Sequence, residues 1–206
     1  MNFNLEQKFE RLKKKNKNFT KLNGLKRILI SCPHSVEQLR EGRIKFSEPQ
    51  TAIIALYLNN LGYPCFIKTT NENDDANYDK DSIYKNELVD FCKQNDIQFV
   101  IDLHQLKKER PMQICLCTGG ENNKNLCGKL NFLELFFSLK DKYILTINDP
   151  FSAHGENTVS SFLAKNNIPS LQIEINSGLL SNKENLNALS ENIYEILKKI
   201  ENICGE

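Results

Sequence analysis

Histidine and carboxylate side chains follow, or lie inside, several short apolar runs of this 206-residue sequence. His34 comes just after the run 27–32, His104 directly follows the run 98–103, and His154 lies in a loop after the run 143–147. Glu174 is embedded in a further apolar run, 170–175. The chain has three histidines in all, and imidazole and carboxylate groups serve in metal binding and proton transfer. Their shared position at the ends of predicted strands indicates one reactive site.

His34 and His104 are the strongest candidates for metal ligands. Catalytic zinc sites commonly use three protein ligands, often histidine and carboxylate, and keep a fourth position open for water. Glu37 follows His34 at His-x-x-Glu spacing and can reach the same ion from one turn of chain. Glu48, just before a predicted helix, is the other candidate, although a carboxylate there also complements the helix dipole. The third ligand stays open between these two glutamates, with a slight preference for Glu48.

Strand periodicity places further polar residues beside the histidines. Asp102 and His104 are two residues apart in one strand and therefore share a face. By the same rule Gln172, Glu174 and Asn176 share a face, opposite apolar neighbours. A carboxylate inside an otherwise buried strand is costly unless it is paired, hydrogen-bonded or near a metal. Glu174 is therefore a candidate functional residue.

The apolar runs alternate with longer segments of helical periodicity. Strands are predicted at 27–32, 63–69, 98–103, 112–117, 143–147 and 170–175, and helices at 49–61, 82–94, 126–139, 158–166 and 184–203. This alternation predicts an α/β fold: a three-layer α/β/α, phosphorylase/hydrolase-like architecture with a mostly parallel or mixed central sheet. Ligands bind such sheets at the carboxyl ends of the strands, so the histidines are expected to meet at one rim.

Residues 1–23 are predicted to form an N-terminal amphipathic helix, and residues 24–206 the α/β domain. Phe3, Leu5, Phe9 and Leu12 recur at helical spacing before the basic run 13–17. A charge run of this kind is typical of a solvated helix end.

Composition narrows the classes of partner and compartment. The net charge of +1 argues against binding to nucleic acid or anionic lipid, and no apolar run is long enough to span a membrane. The seven cysteines contain no Cys-x-x-Cys pair, which argues against a disulfide framework and a thiolate zinc ribbon. With the charged start of the chain, this predicts reduced thiols and a cytoplasmic location.

Four short motifs resemble, in their order, those of the N-formylglutamate amidohydrolase-like family, which is itself similar to the zinc carboxypeptidases in fold and site. They are Pro-His-Ser at 33–35, Asp-Leu-His at 102–104, Asn-Asp-Pro-Phe at 148–151 and Gln-Ile-Glu-Ile-Asn at 172–176. The resemblance runs from about Arg27 to Leu197. In that family an acidic residue before the first long helix accompanies the first histidine, which matches Glu48, whereas the carboxypeptidase pattern matches Glu37. Val36 stands where the family typically has glycine, so we expect a different substrate loop.

The segment 175–184, after Glu174, also resembles the catalytic end of zinc-dependent N-acetylmuramoyl-L-alanine amidases. Those enzymes usually carry a glycine-rich turn at the first histidine, and residues 33–35 do not match it. This second resemblance is the weaker of the two.

Both resemblances imply hydrolysis of an amide bond by a zinc enzyme. Zinc held by His34, His104 and one of the two glutamates would lower the pKa of its water toward roughly 7 and polarise the scissile carbonyl. Glu174 is then expected to act as the general base and to pass the proton to the leaving amine. Asp102 is a candidate to orient a ligand, and His154 to stabilise the developing oxyanion or contact the substrate.

Arg40, Arg43 and Lys45 crowd beside the predicted metal loop and are candidates to bind a substrate carboxylate, because guanidinium groups bind carboxylates bidentately. A solvated charge run is the alternative for these three. Asn77 is a further candidate substrate contact, with plain turn chemistry as its alternative.

The predicted function is zinc-dependent amide hydrolysis of a small carboxylate-bearing substrate, either an N-acyl amino acid or a short peptide, without nucleic acid or membrane partners. The alternatives are a zinc amidase acting on peptidoglycan peptides and a non-catalytic binding protein on the same fold. Glu174 separates catalysis from binding, because a binding module has no need of a carboxylate in that strand.

Overall fold

A computed structural model describes residues 2–71 and 75–204 of the chain. Helices cover both faces of a seven-stranded central sheet, which is the predicted three-layer α/β/α architecture. The elements are, in chain order, α1 (Asn2–Lys13), β1 (Phe19–Leu22), β2 (Ile28–Cys32), β3 (Gln38–Arg40), β4 (Arg43–Lys45), α2 (Pro49–Asn60), β5 (Cys65–Lys68), α3 (Ile83–Gln94), β6 (Phe99–Leu106), β7 (Ile114–Cys117), α4 (Leu130–Phe136), β8 (Leu145–Ile147), α5 (Val159–Lys165), β9 (Ser170–Asn176), α6 (Ser177–Ser181) and α7 (Lys183–Cys204).

The strand order is β1-β5-β2-β6-β9-β7-β8. Strands β5, β2, β6 and β9 run parallel, as expected for strands joined by helical crossovers. Strand β1 is antiparallel to β5, and β7 is antiparallel to β9, so the sheet is mixed. Strand β6 therefore lies near the middle of the sheet, with β2 on one side and β9 on the other.

The main apolar core lies on one face of the sheet. Alternate residues of the central strands, such as Ile30, Ile101 and Ile173, pack there against helices α1, α2, α4 and α7. A second cluster on the opposite face joins Leu29 and Val100 to helices α3 and α5. Because strand side chains alternate between faces, Asp102, His104, Gln172 and Glu174 lie on this second face.

The N-terminal segment differs from the single helix predicted over residues 1–23. Helix α1 ends at Lys13, and residues 19–22 form the edge strand β1, which pairs with β5. The polar run after Lys13 ends the helix, with Asn16 in the left-handed region at φ 49°. Phe19 then stacks on Phe66 of β5 with the ring centroids 4.7 Å apart. Pairing with β5 and this aromatic contact make the segment a strand rather than helix.

The sequence predicts reduced thiols and no membrane-spanning segment. All seven cysteines are free, and five of them are buried. Cys115 and Cys117 lie on one face of β7 with their sulfur atoms 3.7 Å apart. In the part of the chain that the structure describes, no helix is both long and apolar enough to cross a membrane.

Candidate metal centre and active site

Three side chains that could hold a metal ion meet at the carboxyl ends of the central strands. His34 follows β2, His104 lies in the second half of β6, and Glu48 precedes α2. The Glu48 backbone amide donates to the His34 carbonyl over 2.8 Å, which holds the start of α2 beside the end of β2. One ligand atom from each residue lies within 4.8 Å of the others, and all three residues are buried.

Both imidazole rings turn their Nδ1 atoms toward the same carboxylate. His34 Nδ1 lies 3.4 Å from Glu48 Oε1, and His104 Nδ1 lies 3.3 Å from Glu48 Oε2. The two Nδ1 atoms are 3.1 Å apart. Two ring nitrogens and one carboxylate therefore converge on a small volume, which is the donor set of a three-ligand metal site.

The far nitrogens of both rings are bound by other carboxylates. His34 Nε2 lies 2.8 Å from Asp75 Oδ1, and His104 Nε2 lies 3.1 Å from Asp102 Oδ2. An ionised carboxylate only accepts hydrogen bonds, so each pairing favours a proton on Nε2 and leaves Nδ1 as the ring nitrogen available to a metal. This carboxylate–histidine arrangement is the usual outer support of metal-ligating histidines.

The carboxylates and imidazoles of the centre shift one another's pKa values. Burial alone would raise the pKa of Glu48, but His34 and His104 hold it well below its ordinary value. Burial would raise the pKa of Asp75 as well, but His34 and Arg40 hold it well below its usual range. Burial would lower the pKa of His104, whereas Asp102 and Glu48 raise it well above the ordinary value. Ionised, buried carboxylates around two imidazoles fit a site that takes up a metal cation.

Glu174 lies beside His104 on the same face of the sheet. It pairs in register with His104 of β6 on one side and with Cys115 of β7 on the other. Its Oε1 accepts a hydrogen bond of 2.9 Å from Gln172 Nε2. Burial raises the pKa of Glu174 to about 7, with His104 acting in the opposite direction. A carboxyl group of this kind can exchange a proton near neutral pH.

A short hairpin of β3 and β4 covers the centre with its basic side chains. Gln38 pairs with Lys45 and Arg40 with Arg43, so these four side chains share one face. Lys45 binds the Glu48 carboxylate, and Arg40 binds the Asp75 carboxylate. Two of the three basic residues proposed as substrate ligands thus pair with carboxylates of the centre, and Arg43 is exposed.

The remaining sequence candidates lie at different distances from the centre. Glu37 is exposed and does not join the group of His34, Glu48 and His104. The Asn77 amide nitrogen lies 3.0 Å from His104 Nε2, and its oxygen accepts from the Val159 backbone amide over 2.7 Å. Asn77 therefore links His104 to the start of α5.

His154 is exposed, and its Nδ1 contacts the hydroxyl of Ser152. Its loop runs beside the end of β7, where the Gly119 backbone amide donates to the Ser152 carbonyl over 2.7 Å. The loop contains the cis peptide bond between Asp149 and Pro150. In the described part of the chain, the metal-binding group consists of residues other than His154.

Asp75 is the principal site residue that the sequence did not bring out. Its backbone amide donates to Asp79 Oδ2 over 2.7 Å, and its own carbonyl accepts from Tyr78. In sequence, this Asp-Ala-Asn-Tyr segment resembles an ordinary turn. The signal available was an aspartate in the loop after β5, next to the rim where the histidines were expected.

Comparisons with known proteins identify the fold. No protein-family model matches the chain, and no curated protein matches it in sequence. The gene product Atu2144 of Agrobacterium tumefaciens aligns over 95% of this chain and 97% of its own, with a TM-score of 0.65 and 12% identity. N-formylglutamate amidohydrolase of Ralstonia eutropha JMP134 aligns over 90% and 98%, with a TM-score of 0.57 and 12% identity. This chain has their fold.

A bacteriophage poly-gamma-glutamate hydrolase matches with a TM-score of 0.56 and 14% identity, over 90% of each chain. Solved N-acetylmuramoyl-L-alanine amidases also match, with TM-scores of 0.48 and below. The resemblance to the N-formylglutamate amidohydrolase-like family, first seen in four short motifs, is thus confirmed at the level of the fold.

Proposed function

We propose that this protein is a zinc-dependent hydrolase that cleaves an amide bond in a small, carboxylate-bearing substrate. The observation that carries the proposal is the convergence of His34, Glu48 and His104 on one small volume, with the Glu174 carboxylate on the neighbouring strand. Neither feature alone would suffice. Together they provide ligands for a Lewis acid and a base beside it, as metal-assisted hydrolysis requires.

His34, Glu48 and His104 would hold the zinc ion. Two imidazole nitrogens and one carboxylate form a donor set that zinc accepts, which supports zinc as the metal. Once bound, zinc supplies Lewis acidity that polarises an amide carbonyl and makes water nucleophilic near neutral pH.

Glu174 acts as the general base. It takes a proton from the attacking water and gives it to the nitrogen of the leaving amine. The hydrogen bond from Gln172 holds one carboxylate oxygen, and the other oxygen would accept the proton. The register pairing with His104 keeps the base one strand away from the metal ligands, at the roughly 4.8 Å spacing of neighbouring strands.

The basic face of the β3–β4 hairpin binds the carboxylate of the substrate. Arg43 is exposed at the tip of this face, and Lys45 lies deeper, beside the metal centre. Arg40 supports the same face through its pair with Asp75. Guanidinium and ammonium groups favour an anionic substrate here. His154, exposed on the loop beside the end of β7, contacts the bound substrate or its developing oxyanion.

The proposal is tested by metal analysis of the purified protein, followed by a screen of N-acyl amino acids and short peptides for amine release. We expect about one zinc per chain and turnover of a substrate with a free carboxylate. A zinc-loaded protein that releases no amine from any of these compounds would instead support the non-catalytic binding protein.

A further inference from the structure

Lys45 of the hairpin contacts the candidate metal centre directly. Its ammonium group binds Glu48 Oε1, the oxygen that also lies 3.4 Å from His34 Nδ1. Glu48 Oε2 accepts a hydrogen bond of 3.1 Å from the Gln105 backbone amide and lies near His104. One oxygen of Glu48 is thus held by the backbone, while the other is shared between an imidazole and an ammonium group.

An ammonium group and a divalent cation cannot both bind this oxygen at full strength. Like charges a few ångströms apart in a partly buried site repel each other strongly. Lys45 stabilises the ionised Glu48 in the chain without metal, but any cation bound by His34, Glu48 and His104 weakens that pair. The flexible four-carbon stem lets the ammonium group move away while the strand stays in place.

The hairpin backbone limits how far Lys45 can move. Arg40, on the same face, binds Asp75, and the Gln38 amide donates to the Val36 carbonyl over 3.0 Å. The Lys45 side chain is 23% exposed, so it contacts both the buried Glu48 carboxylate and the solvent. An ammonium group displaced from Glu48 therefore stays near the metal centre, on its solvent side, without a carboxylate partner.

We propose that Lys45 is the counter-ion of Glu48 when no metal is bound, and that a divalent cation displaces its ammonium group from Glu48. The displaced ammonium group then binds the anionic group of the substrate. Cation loading thereby frees the group that recognises the substrate, so the two ligands favour each other's binding, as linkage requires. The substrate part of this inference rests on the proposed amide hydrolysis, whereas the counter-ion part concerns the metal alone.

Zinc affinity measured by competition with a chelator tests the counter-ion role without any turnover. Lys45→Met should bind zinc about tenfold or more tightly than the wild type, because a competing charge is removed. Lys45→Arg keeps the positive charge, so its zinc affinity should stay close to that of the wild type. The matched control is Lys198→Met, which breaks a similar i,i+3 ion pair with Glu195 on helix α7, at 2.7 Å.

Circular dichroism on the same samples establishes that each variant is folded. Unchanged or weaker zinc binding by folded Lys45→Met would overturn the proposal. Equal tightening by Lys198→Met would overturn it too, because the effect would then be one of net charge.

Titration with glutarate, a dicarboxylate without an amide bond, tests the second step. In the zinc-loaded chain, Lys45→Met should bind glutarate about tenfold more weakly than the wild type, the order expected for loss of one charge-assisted contact. Without zinc, the wild type and Lys45→Met should bind glutarate with similar affinity, because Glu48 still binds Lys45 in the wild type. If Lys45→Met lost the same glutarate affinity with and without zinc, or lost none in either case, the proposed exchange of partners would be overturned. These titrations need no turnover, so they remain informative for a chain that hydrolyses no amide.

Discussion

His34 and Asp75 are joined by a buried hydrogen bond of 2.8 Å between Nε2 and Oδ1. The bond favours a ring proton on Nε2, and Nδ1 faces Glu48. Asp75 is itself held by Arg40 and by the Asn77 backbone amide, 3.1 Å from Oδ1. The loop after β5 therefore orients a candidate metal ligand that follows a different strand.

Replacing Asp75 should weaken the metal site without removing a ligand. In Asp75→Asn the neutral amide no longer favours the charge on a metal-bound imidazole, and zinc affinity should fall about 10- to 100-fold. Chelator competition measures this loss. The control is Asp81→Asn, which changes an exposed aspartate in the same region and should have the zinc affinity of the wild type. A folded Asp75→Asn protein with wild-type affinity would show that Asp75 does not support His34.

Alanine variants of the three histidines should differ in their zinc content. His34→Ala and His104→Ala each remove a proposed ligand and should lose most of the roughly one zinc per chain. His154→Ala serves as the matched control, because its side chain is exposed on another loop and should leave zinc binding intact. Elemental analysis of dialysed protein gives the stoichiometry. Full zinc occupancy in a His34→Ala, His104→Ala double variant would contradict the site.

The two candidate glutamates can be ranked in the same way. Glu48→Gln should weaken zinc binding by more than the roughly 10- to 100-fold typical of losing an outer-shell partner, since it removes a direct ligand. Glu37→Gln should have little effect, because Glu37 is exposed. The opposite ranking in chelator competition would transfer the role to Glu37 and point to a carboxypeptidase-like ligand pattern.

Sequence periodicity could predict the part of the site that lies on regular strands. The two-residue period put Asp102 and His104 on one face, and the structure has this face on β6, with His104 in register with Glu174. Glu48 stood out because it precedes a proline at the start of a helix, and α2 does begin at Pro49. These features depend on local spacing, which a single sequence contains.

The roles of Asp75 and Lys45 depend instead on tertiary placement. Asp75 lies in a loop whose own hydrogen bonds are those of a turn, and only the packing of that loop brings it to His34. Lys45 sits in a hairpin of two three-residue strands, which is too short to leave a periodic signal. For the same reason, the charge run around Arg40 could be identified as basic, but its partners could not be predicted.

Glu174 decides between catalysis and binding alone. Glu174→Gln keeps nearly the same volume and removes the proton acceptor, so the fold and the zinc content should survive. Turnover should fall about 10²- to 10⁴-fold, the usual contribution of a positioned acid–base group. If Glu174 were only a buried, hydrogen-bonded carboxylate, the variant would instead change thermal stability and keep activity in proportion to folded protein. Melting temperature, zinc content and hydrolysis rate measured on one preparation separate these cases, and an active, zinc-loaded Glu174→Gln enzyme would remove the base from the mechanism.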